Sequence, residues 1–207
     1  MESNSATLEK HSIYVFLNLR GAEPGFHWGI FVPTNQTQGG VWHAVNRGGG
    51  WMLEIIAATG IPNDMSLCLC FKIGKVASQK WNTLEEILRK VPANGLPSSN
   101  TQEIFTCRVW VKDALFALDV GGVIRLAKSV EDIEKAAIEK AESNRDAIER
   151  EMTSEASKSH ITGTAAAAKD AGYRHFKHFL ESYGLRIWND DDVQEGKAIL
   201  RGMGYGV

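Results

Sequence analysis

The sequence predicts an α+β fold, with an antiparallel sheet of about five strands packed on a cysteine-bearing helix and a helical C-terminal extension. Two observations carry this prediction. Short runs rich in β-branched and aromatic residues fill the first third of the chain, separated by glycine and polar clusters. From Thr106 onward the apolar spacing becomes helical, and strands do not return.

The elements follow in order. Residues 11–19 read as a strand, 21–25 as a turn, and 26–33 as a second strand stopped by Pro33 and the polar stretch 34–40. A third strand covers 41–46, and Arg47-Gly48-Gly49-Gly50 turns it into a fourth at 51–57. A triple glycine between two apolar runs reads as a hairpin, since no helix opening with Lys-Ser/Thr follows to make a phosphate loop. A fifth strand is expected over 65–76, with Cys68 and Cys70 on one face as packed thiols. Thr83 and Glu86 resemble a capping box for a short helix ending near Pro92. Residues 93–101 form a loop, and Thr106 is suited to cap the next helix, whose apolar residues recur at Val111, Ala114, Leu115 and Leu118.

The remainder is helical and charged. A long helix starts at Ser129 with a thin stripe of Ile133, Ala137, Ala141, Ile148 and Met152, and 153–163 reads as a polar linker. Further helices are expected over 165–183, ended by Gly184, and over 193–201, capped by Asn189 or Asp190. The division drawn from this change of character is a domain over 11–125 and an extension over 126–207, acting as a lid or an oligomer contact.

Composition narrows the function classes. The 207 residues are 43% apolar and 23% charged, as in an ordinary globular protein. A net charge of −2 with dispersed basic residues argues against a nucleic-acid partner. No run approaches the roughly 20 apolar residues that span a bilayer, so stable membrane insertion is not expected. The polar N-terminus lacks a signal core, and three cysteines do not suggest a disulfide framework. The expected location is therefore the cytoplasm.

Cys107 stands in the first turn of its helix, where unpaired N–H groups and the positive end of the dipole favour thiolate over thiol and can hold an oxyanion. A nucleophilic thiol needs a base, and His27 and His43 on two neighbouring strands are the candidates. Both are odd-numbered, so symmetric antiparallel pairing turns them to one face. His27 would act as base and then acid, with His43 holding its other nitrogen. Trp28, Trp42, Thr106 and Trp110 are expected to wall a substrate pocket. Each of these residues also has a plain packing role, as a half-buried strand histidine or a small buried thiol. His175 and His178 share a helix face but lack a third ligand, and Asp190-Asp191-Asp192 suits a helix start. Neither a metal nor a cofactor is expected.

His27-Trp28-Gly29-Ile30, then a second strand bearing His43, then a helix opening at Cys107, together resemble the circularly permuted papain-like (NlpC-type) thiol enzymes. That superfamily includes the lecithin:retinol acyltransferase and PPPDE peptidase groups. The resemblance spans about Ile13 to Leu118. It implies a Cys-His(-His) hydrolase or acyltransferase that cleaves or transfers an acyl, amide or ester group of a small-molecule or peptide substrate, including biosynthetic tailoring by acyl transfer or cyclisation. Where the acyltransferase relatives carry Asn-Cys-Glu-His-Phe, this chain has Thr106-Cys107-Arg108-Val109-Trp110, a departure that counts against lipid acyl transfer. Two other classes stay open at this point: a non-catalytic binding module on the same scaffold, and a pocket that cyclises or isomerises a small molecule without covalent catalysis. A homo-oligomer is compatible with all three.

Overall fold

The computed structural model describes residues 8–21, 23–35, 38–59, 64 and 66–207. Five antiparallel strands form one sheet: β1 (Ser12–Arg20), β2 (Glu23–Pro33), β3 (Gln38–Arg47), β4 (Gly50–Thr59) and β5 (Leu67–Lys75), in the order β4-β3-β2-β1-β5. The α+β architecture with a five-stranded antiparallel sheet and a C-terminal helical region therefore stands. Strands β2 and β3 begin earlier than expected. Pro24 and Gly25 belong to β2 rather than to a turn, because Glu23 already pairs with Arg20. Among the expected positions, residues 1–7, Ala22, residues 36–37 and Met65 lie outside the described residues.

Ladder lengths differ across the sheet. The β1–β2 ladder runs from Tyr14↔Phe31 to Arg20↔Glu23, and β3–β4 from Gln38↔Thr59 to Arg47↔Gly50. Between them, the β2–β3 ladder covers only Pro33↔Gly39 to Ile30↔Trp42. Beyond Ile30 and Trp42 the two strands make no further ladder pairs, although Gly29 still stands close to His43.

Alternation along the strands sends Ile13, Val15, Leu17, Trp28, Ile30, Trp42 and Ala44 to one face, where all are buried. The helices cover that face. Trp42 meets Trp81 of α1 (Trp81–Lys90) edge to face at 6.3 Å. The second helix, α2 (Cys107–Val120), packs against β2, β3 and α1 and buries Val109, Trp110, Val111, Ala114, Leu115 and Leu118. The α1 start differs from the expected capping box. Lys80 occupies the N-cap after a 3₁₀ turn, with no side-chain cap, and Thr83 falls inside the helix.

Hydrogen bonds hold the lead-in to α2. The buried Asp113 carboxylate accepts from Ser98 Oγ at 2.7 Å and from Asn100 Nδ2 at 2.9 Å. Glu103 pairs with Arg108 at 2.6 Å and with Lys112, and Lys112 reaches Glu134 of α3 (Val130–Ser159) at 2.8 Å. The orientation of the Cys107 turn is thus fixed from both sides.

The chain divides into two compact units, Met1–Ile148 and Glu149–Val207, and the division falls inside α3. Residues 153–159 continue that helix instead of forming a linker, because no glycine or proline interrupts it before Gly163. In the second unit the single helix expected over 165–183 is two, α4 (Thr164–Asp170) and α5 (Phe176–Ser182). The break is at Gly172, whose φ of +90° no helix accommodates. The last helix, α6 (Asp190–Gly202), is capped by Asn189. Ala167, Ala168, Phe179, Leu180, Leu200 and Tyr205 form this unit's own core.

The Asp113 clasp gives a direct test. Asp113→Ala strands Ser98 and Asn100 and should lower stability by about 1–3 kcal/mol, read as a lower urea midpoint at unchanged m-value.

Candidate functional site

The two predicted histidines come together where the β2–β3 ladder ends. His27 Nε2 and His43 Nδ1 are 2.7 Å apart, a hydrogen bond across the gap that the backbone ladder leaves. Both rings sit on the sheet face opposite Trp28 and Trp42, as alternation requires. The Phe16 ring lies against them, 6.3 Å from His27 and 6.4 Å from His43 between centroids. Gly29 makes room for it: a Cβ there would stand 2.3 Å from Phe16 Cζ and 3.0 Å from His43 Cβ. The glycine is required by this close approach.

A third polar group joins the pair, and the sequence reading missed it. Glu54 faces His43 in the β3–β4 register, and its Oε2 is 3.1 Å from His43 Nε2. The approach is too oblique for a directed hydrogen bond, so the contact is chiefly electrostatic. Arg47 grips the same carboxylate, 2.8 Å from Oε1 and 2.9 Å from Oε2. Counting outward from the Arg47-Gly48-Gly49-Gly50 turn would have found Glu54, since His43 precedes the turn by as many residues as Glu54 follows it.

Burial dominates the electrostatics. It pushes His27 down to about 4, with the neighbouring His43 and Arg20 adding to the shift and Glu54 opposing it. His43 is also lowered, again chiefly by burial, with Glu54 pulling the other way. At neutral pH the pair is therefore uncharged and able to accept a proton. His27 Nδ1 has no hydrogen-bond partner among the described residues.

Cys107 heads α2 on the Trp28–Trp42 face of the two histidine-bearing strands, opposite the imidazoles, and is buried. Thr106 caps that helix as expected, its side chain accepting from Val109 N at 3.2 Å. Among the described residues Cys107 makes no hydrogen bond to either imidazole. The sequence-predicted cysteine and histidines are therefore not brought together. All three cysteines are free, and burial pushes the Cys70 thiol up to about 12.

The expected pocket walls need correction. Trp28, Trp42 and Trp110 are at most 3% exposed and belong to the core, because alternation and the inner face of α2 turn them away from the histidines. Trp51 is the half-buried indole beside the helix start, meeting Phe105 at 5.1 Å. His175 and His178 do not present a ligand pair: His175 caps α5 by accepting from His178 N, and His178 Nδ1 accepts from Arg174 N. Among the described residues, no group of three or more His, Cys, Asp or Glu could hold a metal, and no helix is long and apolar enough to cross a membrane.

His27's low value fixes the sign of a stability change. An unfolded imidazole near 6.5 binds protons that the folded one refuses, so stability is full above about pH 6.5 and falls as pH drops toward 4. Urea midpoints between pH 7 and 5 should decline for the wild type and decline less for His27→Gln.

No curated protein and no solved structure matches the chain. A family model described as a family of unknown function (DUF6540) matches residues 13–125. That segment is more than half of the chain and holds the whole β-sheet past Ser12, both histidines, Glu54 and Cys107. The chain belongs to this family.

Proposed function

We propose that the protein acts on a small molecule by general acid–base catalysis at the imidazole pair, without a covalent step at Cys107. The observation that carries the reading is the His27–His43 hydrogen bond on the sheet face opposite the helices, with Glu54 beside it. His43 holds His27 through Nε2, so Nδ1 of His27 is the atom left to take a proton from the substrate and return it. Removing a proton at one substrate atom and returning it at another isomerises or cyclises the molecule and balances without a further reactant. Cys107 heads a helix on the other face and fits a packed thiol. The permuted papain-like (NlpC-type) thiol mechanism, cleaving or transferring an acyl, amide or ester group, is the second reading, and it requires Cys107 to reach His27 from that other face.

Limited iodoacetamide treatment followed by intact-protein mass spectrometry separates the two. Slow Cys107 labelling that His27→Ala leaves unchanged is the expected result. Selective Cys107 labelling below pH 8 that His27→Ala slows by about tenfold or more would establish the thiol enzyme instead.

A further inference from the structure

The hydrogen bond between the two imidazoles has a direction that the pair alone does not decide. One nitrogen must donate and the other accept, and the two choices leave opposite faces of His27 available. If His43 Nδ1 carried the hydrogen, His27 would accept at Nε2 and keep its own hydrogen on Nδ1, unable to take a proton there. The choice is made at the far nitrogen of His43, and Glu54 is the group beside it, 3.1 Å away and held by Arg47.

We propose that Glu54, clamped by Arg47, is a positioning residue that fixes the direction of the imidazole pair and leaves His27 Nδ1 as the basic atom. The carboxylate draws the His43 hydrogen to Nε2. His43 Nδ1 then accepts from His27 Nε2–H, and the remaining lone pair is on His27 Nδ1. No proton reaches Glu54 at any step. The carboxylate also offsets the charge that forms on the pair when His27 is protonated, against the opposing charges of Arg47 and Arg20. Arg47 keeps the carboxylate on the sheet face instead of letting it swing to water, since it is 65% exposed itself while Glu54 is 24% exposed. The catalytic consequence rests on the acid–base reading; the tautomer assignment does not.

Long-range proton–nitrogen correlation NMR on histidine-labelled protein at pH 7.5 reads the tautomers directly. The expected wild-type result is Nε2–H with bare Nδ1 on both rings. Glu54→Leu should turn His43 into a mixture, and Glu54→Gln, whose amide oxygen still accepts, should restore the single tautomer. A wild-type His43 protonated at Nδ1 overturns the proposal, and this holds even should Glu54→Leu not fold. Unchanged tautomers in a folded Glu54→Leu also overturn it. If the tautomers respond as stated but His27→Ala slows Cys107 labelling, the positioning role stands and the acid–base reading without the thiol falls.

Discussion

The structure depends on where a backbone ladder stops. Strands β2 and β3 pair only as far as Ile30 and Trp42, while each remains bonded to its outer neighbour. Continued in register, the ladder would set His43 opposite Gly29 and His27 opposite Val45, so the two histidines are diagonal neighbours. Where the backbone pairs stop, the side-chain hydrogen bond takes over the tie between β2 and β3.

What stands beside the imidazole pair matters as much as the bond within it. The Phe16 ring occupies the space left by Gly29 and excludes water from one side of both imidazoles. That desolvation is the main reason His27 stays neutral down to about pH 4. A neutral base costs some basicity, since a proton placed on it must be stabilised by something other than water. Glu54 favours that charge while burial and His43 disfavour it, so the apolar and anionic sides of the pair act against each other in one small volume.

The strands, the hairpin at Arg47 to Gly50, the Thr106 cap and the buried face of α2 were legible because they follow from local rules of alternation, turn chemistry and helical spacing. The two histidines on one face followed from parity alone. The end of the β2–β3 ladder at Ile30 and Trp42 was not legible, because a ladder ends through competition among distant parts of the sheet and leaves no local mark. Trp28 and Trp42 were misassigned for a related reason. Adjacency to a histidine in sequence is separation across the sheet in space, and the buried face took both indoles. The Gly172 break was missed because an isolated glycine in a helical pattern carries too little information to predict a left-handed turn.

Glu54 shows a different limit. Its place opposite His43 follows from counting outward from a hairpin that was itself identified, so the position was within reach of sequence. Its chemical meaning was not. A glutamate on an outer strand is usually a solvated side chain, and what sets this one apart is the pair of contacts it makes at once, to a half-buried imidazole and to Arg47. The carboxylate can orient the ring only because both are withheld from bulk water, and the same burial lowers the basicity it supports. A site built this way trades the strength of its base for a single direction of proton movement. That trade suits a step in which one atom must both accept a proton and return it.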